Sequence, residues 1–245
     1  TGVYYTIFLT KSLNFKNTIL FFIAMLLFDM STTGINNYID ARAEKITPHF
    51  SKALSLFMIV SMILLLATIG IYLTYTSGLI ILLTGMFCFF IGIIYTFGPA
   101  PISRTPYGEL FSGTVMGFCI PFIVMVLNIS DVHFVSIVLL LPSVNLSINL
   151  FSMIKLIMVT LPLICGISNI MLANNLSDLD KDIKNRRYTL SYYIGKDNSL
   201  KLFSALYYIG YLVIIISSLL NIIPLVCLLS IITLLKVQKN IALFK

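Results

Sequence analysis

Long apolar runs separated by short polar stretches dominate the chain. They lie at about Thr18 to Asn37, Ala53 to Tyr75, Leu79 to Phe97, Leu110 to Leu127, Ile154 to Ala173 and Leu202 to Leu220. Each comes near the roughly 20 residues that carry an α-helix across the hydrocarbon core of a bilayer. Two weaker runs add to them. Val132 to Leu150 is interrupted by Pro142, Asn145 and Asn149, which sets a partial or re-entrant segment against a complete crossing; Ile222 to Leu235 is short and contains Pro224. The opening "TGVYYTIFL" is too short to span and reads as the tail of a helix. The pattern predicts an all-α integral membrane protein, a multi-helix transmembrane bundle with about seven or eight helices present.

Composition agrees. Of the 245 residues 59% are hydrophobic and 10% charged, with mean hydropathy +1.02, where a soluble domain carries about 25% charged residues. The partner of such a surface is the lipid bilayer. No linker or low-complexity tract divides the chain, so residues 1–245 read as one membrane domain.

Charge gives the sidedness. Thirteen of the 16 lysines and arginines fall in alternate connections, at Arg42 to Lys52, Arg104, Lys181 to Lys201 and Lys236 to Lys245. Basic loops stay on the cytoplasmic side, so the helix ends after Asn37, Phe97, Ala173 and Leu235 are expected to face the cytoplasm of a multi-pass cell-membrane protein. The same alternation favours an external connection for Val132 to Leu150. The net charge of +7 reports this asymmetry and an affinity for anionic headgroups; no single soluble face gathers the basic residues, which excludes nucleic-acid binding. Cys88, Cys119, Cys165 and Cys227 stand singly in apolar runs and read as small buried hydrophobes, and His49 and His133 are likewise isolated.

The acids change the picture. Five of the nine fall in two short stretches. In "GINNYIDARAEK", Asn36, Asp40 and Glu44 are spaced i, i+4, i+8; in "ANNLSDLDKDIKNRR", Asn174, Asp178 and Asp182 repeat that spacing. Residues four apart share a helix face, so each stretch can present an amide and two carboxylates as a column at the cytoplasmic end of a span. Like charges so placed call for a cation. Oxygen ligands without clustered histidine or cysteine suit a hard ion, and Mg²⁺ is commonly held by one or two carboxylates together with substrate phosphates. Two facing columns would bind a metal-bridged diphosphate through Asp40, Glu44, Asp178 and Asp182, with Arg42, Lys45, Lys181, Lys184, Arg186 and Arg187 adding charge. A third polar stretch, "YTFGPAPISRTPYGELFSG", lies on the same predicted side. Its prolines forbid a continuous helix, and it carries Tyr95, Arg104 and Glu109. Arg104 is well placed for a phosphate, whereas Glu109 reads equally well as an acid offsetting the dipole of the next helix.

"NNYIDARAE" resembles the first aspartate-rich motif of the UbiA superfamily of intramembrane prenyltransferases, and "NNLSDLDKDIKNRRYTLSYYIG" resembles the second, through Arg187 to Leu190 and Gly195. The proline-rich loop is similar to that of the branch acting on 1,4-dihydroxy-2-naphthoate in menaquinone synthesis. The resemblance, from about Leu20 to Leu235, implies a nine-span bundle around a central cavity. It also implies Mg²⁺ at the mouth and transfer of a polyprenyl group from polyprenyl diphosphate to an aromatic acceptor. On that basis Asp40, Asp178, Asp182 and Arg104 are the expected catalytic residues, and Asn36, Asn174, Tyr95 and Arg187 the expected substrate contacts. Three departures stand out. Glu44 replaces the family's usual aspartate, the arginine-proline segment before the first motif is absent, and the chain stops before a ninth span is complete, so parts of the first and last helices are expected to be missing. Two alternatives stay open: another acceptor within the superfamily, and a transporter or channel using the acidic cluster. A translocation path needs charge near mid-span, where Asp29 is the acid so placed.

Overall fold

The computed structural model describes residues 1–43, 51–98, 100–129, 134–140 and 143–244. Helix α1 spans Gly2–Thr10, α2 Phe15–Ala43, α3 Lys52–Ser77 and α4 Leu79–Thr96. Helix α5 runs over Gly108–Asn128, α6 over Leu150–Ser177, α7 over Leu179–Lys184, α8 over Leu190–Leu219 and α9 over Thr233–Phe244. Six of these, α2 to α6 and α8, are long and apolar enough to cross a membrane, and they coincide with the six long runs read from the sequence. Local chemistry sets the boundaries. The Ser51 hydroxyl accepts from Leu54 N–H at 3.3 Å to cap α3, and the Asn149 side chain accepts from Ser152 N–H at 3.0 Å to cap α6. The single residue between α3 and α4 is Gly78, at φ 96° and ψ 168°, a conformation open essentially to glycine alone. Gly195, at φ 77° and ψ 164°, breaks α8 near its start for the same reason.

The described residues of the segment Val132 to Leu150 form neither a span nor a re-entrant helix. Its described part is an antiparallel hairpin, β1 (Val135–Leu140) with β2 (Ser143–Ile148), in a register running from Val135 opposite Ile148 to Leu140 opposite Ser143. The physical reason lies in "SVNLSI", where polar and apolar residues alternate with period two, the pattern of a half-buried strand. Its place as a connection rather than a crossing stands. The short apolar run after Pro224 forms a 3₁₀ helix over Leu225–Ile232.

Helix α5 is the central element. In its span 61% of residues are buried, against 6–22% for the other five, whose large apolar side chains face outward as lipid requires. It packs on α6 through Gly113 and Gly117. A Cβ on Gly113 would collide with Ser168 Oγ, and one on Gly117 would come within 2.7 Å of the Ile164 backbone, so the four-residue glycine spacing lets two spanning helices approach closely. Between them α5 makes a π turn at Val115–Cys119, just before Pro121, which has no N–H to complete the α ladder.

Contacts along the helices fix their directions. Asn17 donates to Thr76 and Ser77 at 3.4 Å, and Gly34 faces Ile59, so α2 and α3 are antiparallel. Helix α4 turns back along α3 at Gly78 and so runs parallel to α2, against which it packs where Phe28 meets Gly92 and, at 5.5 Å between ring centroids, Phe89. Tyr95 meets Met171, and Glu109 meets Asn175. The C-terminal ends of α2, α4 and α6 therefore lie together, gathering the three polar stretches at one end of the bundle. The densest apolar packing sits at the other end, around Leu73, Met125 and Leu156.

Candidate functional site

The second acidic motif straddles the junction of α6 and α7. Asp178, at φ −97° and ψ 9°, interrupts the helix, yet Asp178 N–H still donates to Asn174 O at 3.0 Å and Asp182 N–H to Asp178 O at 2.8 Å. The three positions stay stacked, but their side chains face different surroundings. Asn174 is exposed, Asp178 is half-exposed and pairs with Lys181 at 3.2 Å, and Asp182 is buried with its side chain 5% accessible. The uniform column expected from the spacing is thus an outward amide and carboxylate backed by an inward carboxylate. The turn at Asp178 and the next chain segment produce the difference.

That segment returns to lock Asp182. Arg186 adopts φ 55°, which swings Arg187 back so that its N–H donates to Asp182 O at 2.8 Å. The Arg187 guanidinium lies 3.4 Å from Asp182 Oδ1, and its Nη2 donates to Ser103 O at 3.4 Å. Tyr188 N–H donates to Arg104 O at 3.1 Å. Arg187 therefore clamps the proline-rich loop onto the second motif. The Arg104 side chain, by contrast, is exposed and has no hydrogen bond or ion pair among the described residues.

Beneath the motif lies a pair whose partner the sequence did not reveal. Glu109, 5% accessible, accepts at Oε1 from Asn175 Nδ2 at 2.9 Å, and its carbonyl accepts from Ser168 Oγ at 2.9 Å. These bonds tie the start of α5 to the last turns of α6. The visible signal was a lone acid at the head of an apolar run; its partner, Asn175, sits one residue from an asparagine singled out on periodicity. Tyr95 closes the group. Its hydroxyl donates to Met171 Sδ at 3.9 Å and lies 3.6 Å from where a Cβ on Gly108 would stand.

The first motif occupies the last turns of α2, which carries Asn36 and Asp40. Their side chains, Glu44 and the two histidines lie outside what is described. Among the described residues no group of three or more histidine, cysteine, aspartate or glutamate side chains could hold a metal ion. The accessible Asp178 carboxylate beside the Asn174 amide offers instead the sparse oxygen set that Mg²⁺ takes when substrate phosphates and waters complete its shell.

Between α2, α3, α4 and α5 runs a cavity of about 900 Å³. It extends from Leu73 and Ile81, near the apolar end, to Thr32, Tyr95 and Ser112 below the polar end, and most of its lining is aliphatic or aromatic. Gly70 and Gly85 in that lining have open space where a Cβ would be.

Span-length apolar helices, a long apolar cavity and polar motifs at one end define a multi-pass integral membrane bundle. The chain belongs to the UbiA prenyltransferase family, whose pattern matches residues 2–243. Over 144 residues it is 28% identical to the 1,4-dihydroxy-2-naphthoate octaprenyltransferase of Bacillus subtilis (strain 168). That alignment covers 59% of this chain and 40% of the relative.

Proposed function

We propose that this protein transfers a polyprenyl group from a polyprenyl diphosphate to a hydroxylated aromatic acceptor, 1,4-dihydroxy-2-naphthoate in menaquinone synthesis, with residues 1–245 forming one prenyltransferase domain. The observation that carries this reading is the cavity: about 900 Å³ of mostly apolar space reaching Tyr95 and Ser112, at the end of the bundle where the polar stretches gather. Such a volume suits an isoprenoid chain, and the polar rim suits its diphosphate. Family membership and the naphthoate-specific relative point the same way. The distribution of basic residues supports a cytoplasmic position for the polar end in a cell-membrane protein.

In this reading Asn174 and Asp178 of the second motif, with Asn36, Asp40 and Glu44 of the first, are the residues that would supply oxygens to Mg²⁺ at the mouth. When bound, Mg²⁺ neutralises the diphosphate and favours the charge that builds on it as the allylic C–O bond breaks. Arg104, without a partner among the described residues, adds positive charge to the leaving diphosphate. Asp182 and Arg187 hold the loop that presents Arg104, and Glu109 with Asn175 fixes the height of the second motif. Tyr95 offers an aromatic face to the developing allylic cation, and the surrounding apolar helices exclude water that would trap it.

The test is prenyl transfer in membranes supplied with a polyprenyl diphosphate and labelled naphthoate or benzoate acceptors, with product mass as the readout. A prenylated naphthoate product that disappears with chelator and returns with Mg²⁺ is expected. Turnover indifferent to chelator, or unchanged in both Asp40→Ala and Asp178→Ala, would overturn the reading.

A further inference from the structure

We infer that Asp29 is the acceptor-recognising residue, its carboxylate accepting a hydrogen bond from a phenolic hydroxyl of the acceptor ring; this rests on the prenyl-transfer reading above. Asp29 stands at the midpoint of α2 (Phe15–Ala43) and is the one charged residue among those described that line the cavity. Its side chain is exposed to that space and makes no hydrogen bond or ion pair among the described residues. A carboxylate at that depth is costly. Among the described residues no lysine, arginine or histidine shares the lining to neutralise it. The structure also fixes its position. Phe28, the preceding residue, lies against Gly92, where a Cβ would collide with the ring, and against Phe89, while the Asp29 carbonyl accepts from Thr32 Oγ1 at 2.9 Å. Helix α2 is thereby held against α4 at the height of Asp29.

The spacing suits an acceptor. Positions 36 and 40 follow Asp29 by seven and eleven residues, on the same face of α2, and at 1.5 Å per residue Asp40 lies about 16 Å further along the axis. A diphosphate, the reacting allylic carbon and a fused aromatic ring fit end to end in that interval. A hydroxyl is the group that can satisfy a carboxylate facing an apolar cavity without adding charge. An acceptor carboxylate is repelled by Asp29 and drawn to Arg104 at the mouth, so the two charges orient the ring head to tail. With the phenolic O–H hydrogen-bonded to Asp29, oxygen electron density is available to the ring carbon that forms the new C–C bond, while the allylic C–O bond breaks and its electron pair leaves with the diphosphate; that ring carbon then loses its own proton to the departing diphosphate, which restores the aromatic ring.

The experiment compares a dihydroxynaphthoate with its mono-methyl ethers, using wild type, Asp29→Leu and Asp29→Asn in membranes with saturating polyprenyl diphosphate. Wild type should favour the free phenol over one of the ethers by roughly tenfold to a hundredfold in kcat/KM, because the ether leaves the carboxylate without a donor. In Asp29→Leu that preference should fall below about threefold through the acceptor KM, with the donor KM within about twofold of wild type. Asp29→Asn, isosteric and still carrying an oxygen acceptor, should keep an intermediate preference, and it decides the matter if the leucine variant does not accumulate. A preference retained in full in the variants, or a change confined to the donor KM, overturns the assignment while leaving prenyl transfer intact. Absence of prenylated product from wild type with every phenolic acceptor overturns both.

Discussion

The two sides of the bundle treat their polar groups in opposite ways. Where α5 meets α6, polar atoms are spent on one another: Glu109 on Asn175 and Ser168, Asp182 on Arg187, Arg187 on Ser103. In the cavity bounded by α2, α3, α4 and α5, Asp29 has no partner among the described residues, and Gly70 and Gly85 leave space unfilled. One side is a frame whose polar contacts set backbone positions; the other is a vessel whose polar group waits for a ligand. Substitutions on the two sides should therefore fail differently, in stability on the first and in substrate handling on the second.

The largest effect is expected at the boundary. Asp178 belongs to the framed motif but is half-exposed, paired with Lys181 whose side chain is 79% accessible. Asp178→Ala should lower prenyl transfer by about 10²–10³-fold, the range for removing one electrostatic contribution to a developing charge. A surface ion pair is worth only about 0–1 kcal/mol, so thermal unfolding in detergent should hardly move. A large fall in melting temperature at retained turnover would put Asp178 in the frame instead.

Arg187→Leu comes next and probes the frame itself. It leaves the buried Asp182 carboxylate without its counter-charge, at about 3–5 kcal/mol when such a pair is broken from one side. The melting temperature should drop by several degrees, and adding Asp182→Leu should restore part of it, since removing both charges removes the uncompensated one. Melting curves of the single and double variants in the same detergent read this out. A third, smaller effect is expected at Glu109→Leu, which leaves the buried Asn175 amide unpaired, at about 1–3 kcal/mol; Glu109→Gln keeps a carbonyl acceptor and should lie closer to wild type.

How much of this was legible beforehand follows from the physics of each signal. Spans are long, and their hydropathy averages over many residues, so the six spans, α2 to α6 and α8, could be read directly. The hairpin is harder to read, because Pro142 and the asparagines mark only an interrupted helix, whereas the period of two in "SVNLSI" is the signal of a strand. Spacing placed Asn174, Asp178 and Asp182 in one row, and the backbone keeps that row. It could not show that Asp182 turns inward, because its burial depends on Arg187 returning through the left-handed Arg186. The Glu109–Asn175 bond joins residues 66 apart, and no local pattern encodes such a pairing. Asp29 was visible as a lone mid-span acid, but its cavity is made by four helices together.

The smallest effect separates frame from vessel most finely. Lys181 touches Asp178 Oδ1 at 3.2 Å, so it competes with a metal ion for the same oxygen, and it lies on the exposed side of a pair too hydrated to stabilise the fold. Lys181→Ala should leave the melting temperature unchanged and lower the Mg²⁺ concentration for half-maximal prenyl transfer, by about fivefold at most for an interaction worth up to about 1 kcal/mol. Titrating Mg²⁺ at fixed polyprenyl diphosphate, at low and high ionic strength, checks both the direction and its origin. The difference between variant and wild type should shrink with added salt, because the contact is solvent-screened. A rise in the Mg²⁺ requirement would instead assign Lys181 to the diphosphate, moving it from the frame into the ligand's own shell.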